Sequence, residues 1–209
     1  WKQALQGKND TAPGPDQLGY TIYKQLPDNQ QEIVLTLINV VWTTGIIPTQ
    51  WKEATVIPIP KPGKDPLLTA SYRPISLTNA ISKIMETMIN NRLKYHLERN
   101  HPLSENQSGF RSNRSMLDQL IRLETDIRMA FQATKKSHRH VIAIFIDLEK
   151  AFDLVWSKGL LTKLNRYGIT GRLYTWIQNF LENRTIKVRI GDKLSQTYQM
   201  EYGTPQGSV

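Results

Sequence analysis

The sequence predicts an α+β fold on three observations. Apolar residues recur at helical spacing in five separate segments, short β-branched runs lie among them, and stretches rich in proline and glycine divide the two patterns. At 209 residues the chain is long enough for one sizeable core or two interleaved subdomains.

Ala12 to Tyr20 (APGPDQLGY) is a loop, since its prolines and glycines exclude a helix interior. From Gln30 to Thr44 the residues Ile33, Val34, Leu37, Ile38, Val41 and Trp42 share a helical face, and Gly45 ends the pattern. Ala54 to Pro60 (ATVIPIP) is an extended edge segment, because prolines donate no ladder hydrogen bonds. Lys61 to Pro66 (KPGKDP) follows as a loop tip carrying two lysines. A second amphipathic helix presents Ile81, Ile84, Met85, Met88, Leu93 and Leu97, and a third, from about Met116 to Phe131, presents Leu117, Leu120, Ile121, Leu123 and Ile127. The basic stretch Lys135 to His140 reads as a solvated loop, with nucleic-acid contact as the alternative. Val141 to Ile146 (VIAIFI), continuously apolar and β-branched, predicts a strand buried on both faces. Two further helices are expected at about Lys158–Tyr167 and Gly171–Leu181. Thr185 to Gly191 (TIKVRIG) alternates like a half-buried strand, with LSQTYQMEYG as its hairpin partner.

The formal charge of +9 points to a polyanionic partner, nucleic acid first, with a solvated basic surface as the alternative. The absence of cysteine excludes thiol catalysis, disulfides and Cys-based zinc sites. No apolar stretch approaches the length that spans a bilayer, so no membrane partner is expected.

The richest segment is FIDLEKAFD, Phe145 to Asp153. Asp147 closes the predicted strand, where a carboxylate is costly unless paired, hydrogen-bonded or bound to a hard cation such as Mg²⁺. The alternative is a strand-end aspartate that caps the next turn.

Four blocks in order then carry a family resemblance: APGPD; WKEATVIPIPKPGKDP with SYRPISLTN; NQSGFR; and FIDLEKAFD with GTPQGS. Together they resemble the reverse transcriptase domain of non-long-terminal-repeat retrotransposons, the jockey-like group in particular. The resemblance implies a right-hand polymerase with helical fingers and a palm sheet. It implies an RNA template, a DNA primer and deoxynucleoside triphosphates as partners, with Mg²⁺, or Mn²⁺ in its place, as cofactor. A catalytically dead nucleic-acid-binding relic and a maturase-like intron protein are the other readings of the same blocks.

The roles follow from the resemblance. Asp147 matches the catalytic aspartate shared by two metal ions, with the Leu148 carbonyl as a further ligand. Phe152 matches the ring against which the incoming deoxyribose packs, excluding a 2′-hydroxyl; an ordinary core phenylalanine is the competing account. Arg73 and Lys61, the latter at the loop tip and exchangeable with Lys64, match the cations that grip the triphosphate. Gln206 and Gly207 match the motif beside the nucleotide, although Pro205-Gln-Gly-Ser also reads as a structural turn or helix start. Gly109, Phe110 and Arg111 resemble the template-contacting segment, and Arg111 could equally form an internal ion pair. Asp153 is expected to cap the following helix.

The expected division is 1–50 leading into the fingers, 51–140 fingers and 141–209 palm. The family's second carboxylate pair, Tyr-x-Asp-Asp, is expected beyond GTPQGS, so the chain reads as cut from a longer protein. Without that hairpin the strand at Val141–Ile146 would present an unpaired apolar edge.

Overall fold

The computed structural model describes residues 1–100, 102–132 and 140–208, which form two compact units: Trp1–Leu93 with Lys150–Val209, and Lys94–Glu149. Most of Lys135–His140 lies outside the described residues.

The first unit opens with two short helices, α1 (Lys2–Leu5) and α2 (Tyr20–Gln25), and then α3 (Asp28–Thr44). Of the apolar face that the helical spacing predicts, Ile38 and Val41 of α3 are buried, whereas Ile33 and Leu37 are exposed. Gly45 closes α3 in the left-handed conformation at φ 72, and its N–H donates to the Val41 carbonyl at 2.9 Å. A Cβ there would stand 2.7 Å from the Thr175 methyl, so glycine serves both the backbone turn and the packing of this corner.

Strands β1 (Glu53–Pro60) and β2 (Tyr72–Leu77) pair antiparallel, from Thr55 opposite Leu77 to Pro60 opposite Tyr72. A long helix, α4 (Ala80–Asn100), follows. After α5 (Met116–Gln132), which lies in the second unit, the chain returns through α6 (Ser157–Arg166), α7 (Gly171–Leu181) and β3 (Thr185–Ile190). Strand β3 runs parallel to β1, from Glu53 opposite Thr185 to Val56 opposite Val188. Its other edge takes the short strands β4 (Lys193–Leu194) and β5 (Tyr198–Gln199), the hairpin partner that the sequence predicts.

The edge assignment of Ala54–Pro60 needs correction. Strand β1 lies between β2 and β3 in the sheet, and its far half, which holds Pro58 and Pro60, pairs with β2 alone. The prolines do restrict pairing, but only where they stand. Thr55 and Val56 keep their donors and take a neighbour on each side.

Ala54 and Val56 on one face of β1 join Ile84, Met85 and Ile89 of α4 and Trp176, Ile177 and Leu181 of α7 among the buried residues. Each such large side chain contributes about 1.5–3 kcal/mol when fully buried.

The second unit contains the last turns of α4 and α5 (Met116–Gln132), which has no buried residue. Leu117, Leu120 and Ile121 of its apolar face are exposed. The predicted strand at Val141–Ile146 does not form: no ladder partner meets it among the described residues, and Ile142 and Phe145 are 83% and 86% exposed. A strand buried on both faces requires neighbours at its edges and layers above and below, and its own apolar composition supplies neither. Among the described residues no helix is long and apolar enough to cross a membrane.

Candidate functional site

The loop between β1 and β2 closes at its base, where the Lys61 N–H donates to the Ser71 carbonyl at 2.8 Å. Lys61 therefore stands at the root of the loop rather than at its tip, and its ammonium donates to the Ala70 carbonyl at 2.8 Å. The loop turns through Gly63 at φ 69, and the neighbouring Lys64 is exposed. Arg73, opposite Ile59 in the ladder, is exposed and makes no ion pair or side-chain hydrogen bond among the described residues.

Backbone hydrogen bonds join three distant sequence blocks in this unit. The Gly203 N–H donates to the Val155 carbonyl at 3.0 Å, and the Thr204 N–H to the Phe152 carbonyl at 2.9 Å. Three residues on along β2 from Arg73, the Ser76 N–H donates to the Gln206 carbonyl at 2.7 Å. The approach is too close for side chains. A Cβ on Gly203, at φ 84, would lie 2.6 Å from the Asp153 carbonyl oxygen, and one on Gly207, at φ 125, would lie 2.6 Å from that of Ser76. A fourth block joins them, for a Cβ on Gly14 would meet the Thr78 carbonyl carbon at 2.5 Å, and the Asp16 N–H donates to Asn79 Oδ1 at 3.3 Å. The structure thus gathers Arg73, Phe152, Gln206 and Gly207 into one unit. Phe152 is 50% exposed rather than an ordinary core residue.

Asp153 does not cap α6. The residue at that N-cap is Trp156, with no side-chain cap hydrogen bond, while Asp153 sits in a turn in which the Leu154 N–H donates to the Lys150 carbonyl at 3.0 Å. The helix starts too late for the Asp153 carboxylate to reach its free N–H groups. Pro205 opens a single turn, closed by the Ser208 N–H on its carbonyl at 3.1 Å.

The other predicted site residues belong to the second unit. Asp147 and Leu148 are exposed on the segment that forms no strand. Gly109 and Phe110 are exposed too, Phe110 at 92% and with φ 59. Arg111 is engaged internally: its Nε and Nη2 donate to the two Glu98 carboxylate oxygens at 2.7 Å each, and its Nη1 to the Ser104 carbonyl at 3.2 Å. These Arg111 hydrogen bonds, helped by the Ser112 N–H, hold the Glu98 carboxyl at about 2. The internal ion pair is the reading of Arg111 that this geometry supports.

Carboxylate and carbonyl oxygens are the donors a hard divalent cation takes. Among the described residues, however, no group of three or more His, Cys, Asp or Glu assembles to hold a metal ion, so Asp147 and Leu148 do not form a shell as they stand.

Sequence reasoning passed over Ser76 and Gly203, the backbone partners that bind the blocks together. The glycine that precedes Thr-Pro-Gln-Gly was the available signal. Arg184 was missed as well: it is 1% exposed, donates to the Phe180 carbonyl at 3.1 Å and stacks 4.5 Å over the Phe180 ring. Burial pushes its pKa down, and Glu86 opposes that shift.

Comparison with known proteins adds to this geometry. A family model described as reverse transcriptase (RNA-dependent DNA polymerase) matches residues 59–209. The probable RNA-directed DNA polymerase from transposon BS of Drosophila melanogaster is 35% identical over 198 residues, covering 95% of this chain and 21% of that protein. The RNA-directed DNA polymerase from mobile element jockey of the same fly is 36% identical, with the same coverage. A retrovirus-related Pol polyprotein from the type-1 retrotransposable element R2 of Popillia japonica is 27% identical over 192 residues, covering 90% of this chain and 24% of that protein. The chain spans about a fifth of the length of the first two relatives. With most of its length matched, the chain belongs to the reverse transcriptase (RNA-dependent DNA polymerase) family, of the kind found in jockey and related non-long-terminal-repeat retrotransposons.

Proposed function

We propose that the protein carrying this chain is an RNA-directed DNA polymerase of a mobile element, and that residues 51–140 serve as its fingers and residues from 141 onward as its palm. The observation that carries the reading is the backbone junction of Thr204 with Phe152 and of Gln206 with Ser76, which holds the Arg73 strand and two motif turns in one body. In the reaction the primer 3′-hydroxyl forms a bond to the α-phosphorus of a deoxynucleoside triphosphate, pyrophosphate leaves and the hydroxyl proton passes to solvent. The Arg73 guanidinium, with no ion pair or side-chain hydrogen bond among the described residues, offers a planar fork to triphosphate oxygens. Lys64 is the lysine better placed to assist, since Lys61 is engaged with Ala70. Phe152, half-exposed beside Thr204, serves as the surface for the sugar. Gln206 and Gly207 form the turn beside the nucleotide. Gly109 and Phe110 remain the exposed part of a template contact. A divalent ion, Mg²⁺ or Mn²⁺, would supply charge neutralisation at the phosphates, and Asp147 with the Leu148 carbonyl is the donor set assigned to it. Among the described residues the ligands present do not complete that ion's shell.

The test is primer extension on an RNA template with deoxynucleotides, by the chain extended to the length of its relatives. Extension is expected, and Asp147→Asn is expected to abolish it while the folded circular-dichroism spectrum persists. Undiminished extension by the Asp147→Asn protein would remove Asp147 from the chemistry. No extension by the extended wild-type protein would favour the binding relic.

A further inference from the structure

We propose that the outer face of the β2–β1–β3 sheet is a track for the phosphate backbone of a single-stranded RNA, held by Lys187 and Arg189. The proposal deepens the polymerase reading, and rests on it for the identity of the strand as a template.

Register defines the face. Residues opposite one another in a ladder share a side of the sheet, and sides alternate along each strand. The pairs Glu53–Thr185 and Thr55–Lys187 therefore put Lys187 on the side of Thr55, with Arg189 two residues further along β3. The pairs Ile57–Ile75 and Ile59–Arg73 put Arg73 on this same side at the other edge. Ala54, Val56 and Ser76, which alternate with these residues, are buried on the core side, while on the track's own face Leu77, opposite Thr55, is buried and Lys187 and Arg73 are exposed. One face thus carries Arg73 on β2 and two cations on β3, two strand spacings away and offset along the strands, so that Arg73 stands roughly 12 Å from Arg189 and roughly 16 Å from Lys187. Ile57 and Ile59 lie between them.

Three further observations favour a polyanion. Lys187 and Arg189 form no ion pair and no side-chain hydrogen bond among the described residues, so their charge is not spent internally. Both line a cleft of about 300 Å³ that Pro15 and Gln17 of the N-terminal loop wall on one side and Thr55 and Thr185 line with hydroxyls. Glu53 also lines the cleft, at its Thr185 end, and its carboxylate directs phosphates toward Lys187 and Arg189 instead. Meanwhile Arg111, the cation of the expected template segment, is bound to Glu98, which leaves the template's charge to be met elsewhere.

No aromatic ring lies among these face residues. Bases would rest on aliphatic side chains, and affinity would come from phosphate contacts without sequence preference.

The measurement is binding of a fluorescently labelled, mixed-sequence single-stranded RNA across a salt series. The double variant Lys187→Glu/Arg189→Glu is compared with Lys163→Glu/Arg166→Glu, an equal charge change on exposed positions of α6. The sheet pair is expected to weaken binding at least about tenfold and to lower the log–log salt slope by about 1.4, that is, two phosphates at about 0.7 each. The helix pair is expected to cost less than about threefold. Equal losses for both pairs would reduce the effect to net charge and overturn the track, as would unchanged binding by the sheet pair. Photo-crosslinking of 4-thiouridine RNA to the wild-type protein guards against a misfolded variant. Adducts on the peptides of β1 or β3 support the track, and adducts confined elsewhere refute it. Primer extension reads the polymerase assignment separately. A protein that crosslinks here but never extends a primer refutes the polymerase, and one that extends a primer while crosslinking only elsewhere refutes the track.

Discussion

Gly203 and Gly109 each sit inside a motif block, yet their surroundings have little in common. A Cβ on Gly203 would press 2.6 Å from the Asp153 carbonyl oxygen, whereas one on Gly109 would meet nothing within 4 Å. The contrast extends to the two units that hold them. In the first, the turn at Phe152, the strand of Arg73 and the Gly203–Ser208 segment exchange backbone hydrogen bonds over a buried core. In the second, α5 buries no residue, and the apolar run before Asp147 stays exposed. A motif residue acquires a defined position when the backbone of another block closes on it. Where no block closes, the same strength of motif leaves the residue at the surface.

The largest expected effect separates the two glycines. Gly203→Ala introduces both a left-handed alanine and a backbone clash, and should destabilise the first unit by about 3 kcal/mol or more. Gly109→Ala, in open space, should change stability by no more than about 0.5 kcal/mol. Urea denaturation of both variants measures the difference, and equal costs would break the comparison. Next comes Arg73→Ala in the active, extended polymerase. The loss of a charge-assisted hydrogen bond to the triphosphate should lower kcat/KM for nucleotide about tenfold or more, with template–primer affinity little changed. Collapse of primer binding with normal nucleotide kinetics would move Arg73 to another ligand. A smaller effect, in selectivity rather than rate, is expected for Phe152→Val, which should raise ribonucleotide incorporation relative to deoxynucleotide. An unchanged ratio in a protein that still polymerises would return Phe152 to a packing role.

The smallest effect lies in the second unit, at the Arg111–Glu98 ion pair. Arg111 keeps the Glu98 carboxyl at about 2, below its ordinary 4.5. A depressed folded-state pKa means that this stabilisation is complete above about pH 4.5 and is lost as pH falls toward 2. The Glu98 carboxyl resonance should therefore titrate near pH 2, and Arg111→Met should return it toward 4.5. Titration near the ordinary value in the unaltered protein would show that the ion pair does not hold in solution.

What the sequence determined by itself was local. Helical spacing from Gln30 to Thr44 with Gly45 after it, alternation from Thr185 to Gly191, and the turn chemistry of Pro62–Gly63 were all legible, because periodicity and positive φ are properties of neighbouring residues. The candidate site residues were proposed for a related reason: the motif blocks carry them as residue type and spacing. Arg111 was readable in two ways, and only the presence of Glu98 on another turn of chain decided between them. Lys61 was placed at the wrong point of its loop, since the closing bond to Ser71 comes from ten residues away. The apolar run at Val141–Ile146 shows the limit most sharply. Its composition specifies a preference for burial, but a strand exists only when a second strand supplies the hydrogen bonds, and among the described residues none does. The tertiary structure alone decided that β1 stands between two partners, that the Ser76 N–H donates to the Gln206 carbonyl, and that Arg73, Lys187 and Arg189 share one face. These are pairings between residues far apart in sequence, set by which backbone donors and apolar surfaces find each other when the chain closes its loops.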